Sequence, residues 1–270
     1  MKSKFALKFL VIGLFTAYSL WWLYIMAFAG PEDSIRDYFS DTYGIVAGLG
    51  GFLGLIFAHK WDGCKSYVGK ALIFFSAGLF FQFLGQLSYT IEFYAYGIEN
   101  SYPSFGEIFF FSSIFFYIFG VWYVAKSAGT TISLKGFGKI LAATIFPLLM
   151  IAFSYFMFIN GTDFESYGLV ANVLTFAYPI GQAIYVSLAI LTFFLAFNVV
   201  GGTMRRRVFF ILVACIFQYA ADSTFLYKTI QDTWVPAGVS EYMFVVSYFL
   251  MSMAFLDFLY AYEYLQGRKK

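Results

Sequence analysis

Residues 104–126 read SFGEIFFFSSIFFYIFGVWYVAK. Between Glu107 and Lys126 there is no charge, and bulky aromatic side chains recur along the whole stretch. About 20 such residues, rising 1.5 Å each as a helix, match the roughly 30 Å hydrocarbon core of a bilayer. Seven other stretches have the same character: 5–29, 42–59, 68–92, 137–159, 169–197, 206–228 and 238–265. The second is short and rich in glycine, and the sixth is long and contains Pro179. The pattern predicts an all-α membrane protein with eight transmembrane helices.

Composition points the same way. The 270 residues are 61% apolar and 12% charged, against roughly 45–50% and about 25% in soluble domains. Such a chain is not a disordered segment, a nucleic-acid binder or an ordinary cytosolic enzyme. The net charge is only +2, so the placement of the charges carries the information. Fifteen of the 17 basic residues fall on alternate connections. They are Lys2, Lys4 and Lys8; Lys60, Lys65 and Lys70; Lys126, Lys135 and Lys139; Arg205, Arg206 and Arg207; and Arg268, Lys269 and Lys270. Arg36 and Lys228 stand on the other side, with acids at Glu32, Asp33, Asp37, Asp41, Asp163, Glu165 and Asp232. This bias follows the positive-inside rule, with both termini cytoplasmic in a prokaryotic plasma membrane. An odd number of crossings would break the alternation. Ala27-Phe28-Ala29 resembles a cleavage site, but the apolar run before it is longer than the ~7–15 residues of a signal peptide, so the first helix is expected to be retained. Cys64 and Cys215 are expected as free thiols near the cytoplasmic side.

The third and fourth helices are echoed by the seventh and eighth. Phe81-Gln82-x3-Gln86 reads against Phe217-Gln218-x3-Asp222, and each is followed by an outer loop with a proline, Pro103 or Pro236. Glu107, Phe110, Ser113, Phe115 and Gly120 then match Glu241, Phe244, Ser247, Phe249 and Ala254 at a constant offset of 134. Four crossings return a chain to its starting side, so a parallel 4+4 repeat follows, with units 1–135 and 136–270.

Polar groups at membrane depth are costly and mark functional candidates. Asp222 stands 15 residues from Arg207, about 22 Å along the helix and in the outer third of the core. Gln86 is at equal depth, Gln82 and Gln218 lie one turn deeper on the same faces, and Tyr178 and Gln182 are near mid-depth on helix six. Glu107 and Glu241 open helices four and eight, where an acid can also serve the helix dipole, and Ser104 with Glu107 could form a capping box. No Lys or Arg stands opposite Asp222, so Gln86, Gln182 or a tyrosine is its expected partner. These eight residues outline a polar pocket opening outward. Asp257 is expected to pair with a basic group at the inner end. Gly48, Gly50, Gly51 and Gly54 let a neighbouring helix come close. Pro147 and Pro179 are expected to kink helices five and six. Asn160-Gly161-Thr162 is a glycosylation sequon.

His59 is the only histidine, which removes bis-histidine haem, histidine-based metal hydrolysis and Ser-His or Cys-His catalysis. No mid-helix lysine suits a retinal Schiff base, and Asp222 and Asp257 are too far apart for an aspartic dyad. No enzymatic activity, metal or cofactor is expected.

The segment Tyr102-Pro103-Ser104-Phe105-Gly106-Glu107 resembles the eight-helix membrane domain that precedes GGDEF and EAL modules in bacterial cyclic-di-GMP signalling proteins. That domain has Pro-Ser-x-x-Asp at its fourth helix, Tyr-Pro-x-x-Asp in its sixth and Ala-Asp near the end of its seventh. Tyr178-Pro179-x2-Gln182 and Ala221-Asp222 fall at the latter two places. Glu107 and Gln182 replace two of the three aspartates, and residues 1–270 include no cyclase or phosphodiesterase module, so the enzymatic activity of those proteins is not expected of them. The resemblance implies an input-type, sensory membrane domain; the first reading is therefore a sensor or receptor-like module that binds a small or lipidic ligand or responds to the bilayer and acts on a separate membrane or cytoplasmic partner. A transporter or channel with a protonatable Asp222 is the alternative, and a structural subunit of a membrane complex is the third.

Overall fold

The computed structural model describes residues 2–98, 102–127, 137–159, 168–199, 203–231 and 233–267. The described residues form α1 (Lys2–Phe28), α2 (Ile35–Thr42), α3 (Gly44–Lys60), α4 (Tyr67–Tyr96), α5 (Glu107–Ser127), α6 (Phe137–Ser154), α7 (Leu169–Val199), α8 (Thr203–Ile230) and α9 (Val239–Gly267), with no strand among them. Lipid offers no hydrogen bonds to a backbone, and helices satisfy theirs internally. Asn160, Asp163, Glu165, Asp232, Lys135, Arg268, Lys269 and Lys270 lie outside the described residues.

Seven helical stretches are long and apolar enough to cross a membrane: Phe5–Phe28, Ile35–Lys60, Tyr67–Tyr96, Glu107–Ser127, Leu169–Phe194, Arg206–Ile230 and Val239–Gln266. This is a multi-pass membrane protein. At the place of the expected fifth crossing, α6 carries Pro147 and runs into a π-helical turn at Tyr155–Ile159; its apolar stretch, Thr144–Met157, is shorter than the others. The expected second crossing at 42–59 starts earlier, at Ile35. Tyr43 keeps helical angles (φ −59°, ψ −26°) and joins α2 to α3. Asp37 and Asp41, assigned to a loop by the charge pattern, therefore ride on a helix that buries Phe39 and Ser40.

Packing closes a ring. α3 packs on α4, α4 on α5, α5 on α7, α7 on α8, α8 on α9, and α9 returns to α3. α6 lies outside against α7, and α1 outside against α9. Phe15 stacks on Phe249 at 4.0 Å, and Trp22 on Tyr242 at 4.3 Å. α1 is the least buried of the apolar stretches, and Phe5, Phe9, Leu20 and Leu23 face outward from it.

The glycines of α3 permit the tightest approach. A Cβ at Gly54 would overlap the Ser76 hydroxyl of α4 and the Phe255 ring of α9, and one at Gly50 would overlap Ser252. Close approach through small residues is how helices gain contact where lipid supplies no hydrophobic drive.

The ends of the bundle differ. One carries the loops after α1, α4 and α8, where Arg36 Nη1 donates to Pro236 O (3.2 Å). Gly97, at φ +64°, closes α4 there in the left-handed conformation that glycine adopts without penalty. At the other end Arg206 meets Asp257 (3.2 Å), Lys60 meets Glu263 (4.0 Å), and Lys126 lies over the Trp122 ring. Asp257 thus pairs with a basic side chain as its position suggested. Cys64 is exposed and Cys215 is buried, and both are free thiols.

Candidate functional site

A cavity of ≈ 640 Å3 occupies the ring toward the end that carries the loops after α1, α4 and α8. α2 with the Tyr43 junction, α4, α5, α7, α8 and α9 all line it. Seven of the eight residues singled out in the sequence reach its wall: Gln82, Gln86, Glu107, Tyr178, Gln182, Asp222 and Glu241. Gln218 is not in the wall. It is fully buried behind Asp222.

Glu107 sits where α4, α5 and α7 meet. The Tyr89 hydroxyl donates to its Oε1 (2.8 Å), and the Tyr178 hydroxyl donates a short bond to Oε2. The carboxylate is therefore spent on two tyrosines and does not turn back to Ser104, so the capping box is not made. A buried acceptor pair finds more from two hydroxyl donors than from one backbone N–H.

Glu241 does cap. Its Oε2 accepts from the Ala237 N–H (2.7 Å), just before α9, and from the Ser40 hydroxyl of α2 (2.6 Å). Ser40 also accepts from the same N–H (2.9 Å). The Ala237 backbone is in the left-handed region (φ 53°), and its carbonyl accepts from Trp22 Nε1 (3.1 Å). This knot ties α1, α2 and α9 together beside the cavity.

Asp222 is arranged differently. Gln218, one turn below on α8, donates Nε2 to Asp222 Oδ1 (3.2 Å) and accepts from the Ser247 hydroxyl (2.9 Å). A residue of the same helix thus joins the expected kind of partner, a tyrosine of another helix, since Tyr185 of α7 stands beside the Asp222 carboxyl. Gln86 is engaged elsewhere, with Nε2 on Ser40 O (2.6 Å). Asp222 is partly exposed, while Glu107 and Glu241 are buried at 6% and 2%. It is the least buried of these three acids, and all three line the cavity.

Gln82 donates to Ser113 Oγ (2.8 Å) and accepts from the Tyr248 hydroxyl (3.1 Å). Tyr43 and Tyr248 stack at 6.4 Å, and Tyr117 meets Tyr185 at 5.9 Å, making a tyrosine floor. Beyond it Phe75, Val121, Ala189, Ile211 and Phe255 are fully buried in one apolar cluster. The cavity is closed on that side.

Sequence reading missed several wall residues. Tyr89 follows Gln82 and Gln86 at seven and three places, the spacing of one helix face, and could have been found. Asp37 and Asp41 were hidden by their assignment to a loop; Asp41 accepts from the Tyr94 hydroxyl (2.9 Å). Tyr102 and Trp234 reach the wall only because their loops fold over the ring. Among the described residues, no Lys, Arg or His lines the cavity. No group of three or more His, Cys, Asp or Glu side chains suited to a metal ion occurs among the described residues.

Comparison of the chain with protein-family models, with curated proteins and with solved structures gave no match.

Proposed function

We propose that the protein is a membrane-embedded sensor or receptor-like module whose cavity binds a small or lipidic ligand and whose helices pass the bound state to a separate partner. The cavity carries the reading. It has the size of a small-molecule site, and aromatic side chains line it together with convergent acids and amides. The positions shared with the GGDEF/EAL-associated sensory domain, Glu107, Tyr178, Gln182 and Asp222, all reach this one space. The closed apolar half beyond the tyrosine floor favours a binding module over a conduit.

The architecture proposed around it is eight crossings in two parallel units, 1–135 and 136–270, with both termini in the cytoplasm and the cavity facing outward in a prokaryotic plasma membrane. α6 and its π-helical extension reach about 30 Å, enough for the remaining crossing. The matched pairs of the repeat make matched contacts, Gln82 with Ser113 and Gln218 with Ser247. The ring runs α3–α4–α5 and then α7–α8–α9 in the same order. Because the cavity lies between those halves, transport linked to Asp222 is the second reading.

A structure in lipid nanodiscs tests the proposal. Non-protein density inside the ring, contacting Asp222, is expected. A dry, empty interior with the Asp222 carboxyl turned to lipid refutes it. Substrate uptake into proteoliposomes that is lost in Asp222→Asn would move the protein to the transport reading.

A further inference from the structure

The cavity wall has a one-sided chemistry. Among the described residues five acids reach it, Asp37, Asp41, Glu107, Asp222 and Glu241, and no basic side chain does. The two buried ones are already satisfied by donors from the protein: Glu107 by Tyr89 and Tyr178, Glu241 by Ser40 and the Ala237 N–H. Asp222 has its Gln218 bond on Oδ1 and surface facing the cavity. An ionised carboxylate in a low-dielectric wall is costly without a counter-charge, and the wall supplies none.

A second observation is independent of the acids. Gln182 of α7 is 2% exposed and lines the cavity, and its Oε1 has no hydrogen-bond partner. Buried acceptors are almost always satisfied, so an orphan at a ligand-sized cavity asks for a donor from what binds there. Aromatic side chains also line the wall, among them Tyr43, Phe110, Phe225, Trp234 and Phe244, beside the aliphatic Ile98, Ile114 and Leu226. Ring faces attract cations and pack apolar groups. A metal ion fits poorly, because no cluster of ligating side chains stands together among the described residues.

We propose that the cavity binds an organic ammonium ion with an apolar, ring-sized body, its N–H groups shared between the Asp222 carboxylate and the Gln182 carbonyl oxygen and its body held among the aromatic side chains. This rests on the cavity being a ligand site, and it adds the charge and donor character of the ligand. Anions are rejected by the five acids, and neutral isosteres lack the counter-charge.

Three probes of one skeleton separate these cases. They are 2-(1-naphthyl)ethylammonium, the corresponding naphthylethanol, and 1-naphthylacetate, titrated calorimetrically against the full chain in zwitterionic nanodiscs with empty nanodiscs as reference. Saturable binding of the ammonium alone is expected. Asp222→Asn should weaken it by about 30-fold or more, as for loss of one partner of a desolvated charge pair, and Gln182→Leu by about fivefold. The wild-type comparison of probes needs no variant, so a variant that folds poorly does not decide the matter. If the acetate or the alcohol binds as tightly and competes with the ammonium, the cavity is a ligand site but the cation preference is overturned. Unchanged ammonium affinity in a folded Asp222→Asn protein overturns it as well. If none of the three binds saturably the proposal also falls, and the density experiment in lipid then decides separately whether the cavity is a ligand site.

Discussion

Replacing Glu107 probes the joint that holds three helices around the cavity. Its carboxylate takes hydroxyl bonds from Tyr89 on α4 and Tyr178 on α7. A hydrogen bond to a charged group contributes about 1.5–3 kcal/mol, and a stranded buried polar group costs about 1–3 kcal/mol. Both tyrosines are partly exposed and face the cavity, so water re-solvates a stranded hydroxyl and the lower end of those ranges applies. In Glu107→Gln the amide keeps one acceptor, and its NH2 group can donate to a tyrosine oxygen. The loss is then mainly the charge assistance, about 1 kcal/mol. Glu107→Ala strands both hydroxyls and should cost about 2–4 kcal/mol. Tyr178→Phe removes one of the two bonds. The double variant Glu107→Ala/Tyr178→Phe should therefore fall short of the summed single effects by about 1 kcal/mol. Thermal unfolding in nanodiscs reads these differences at about 2–4 °C per kcal/mol. Additive single and double variants, or a Glu107→Ala protein that melts with the wild type, would refute the joint.

Four further outcomes follow from the packing and the charges. Gly54→Val forces a branched side chain against Ser76 and Phe255 and should cost about 1–3 kcal/mol or more, seen as a lowered melting temperature; an unchanged melt would mean that α3 does not approach α4 and α9 so closely. Asp257→Asn removes a partner from Arg206, whose side chain is 72% exposed, so its effect should stay below about 1 kcal/mol; a larger drop would show the pair to be shielded. Ser247→Ala takes a donor from the buried Gln218 carbonyl and should cost about 1–2 kcal/mol, with Ser113→Ala costing a similar amount on the other side of the ring; inequality by several kcal/mol would count against the repeat. An impermeant maleimide should leave intact cells unlabelled, react with Cys64 after permeabilisation, and reach the buried Cys215 only after denaturation; labelling of Cys64 in intact cells would reverse the proposed topology.

The amino-acid sequence alone determined that this chain is a multi-pass helical membrane protein, because hydrocarbon thickness and the cost of an unpaired backbone leave few ways to read long apolar stretches such as 104–126. It also picked out the polar side chains at membrane depth, since their cost makes them conspicuous one by one, and seven of the eight chosen reach a single cavity. Partnership was decided only by tertiary structure. Asp222 bonds within its own helix, Glu107 goes to two tyrosines instead of a cap, and Asp37 and Asp41 join the wall because α2 continues into α3. Sequence spacing states which face and which depth a side chain occupies. Which neighbour waits there depends on how six helices close into a ring, and that closure is set by the summed fit of many small contacts spread over the whole chain, Gly54 against Ser76 and Phe255 among them.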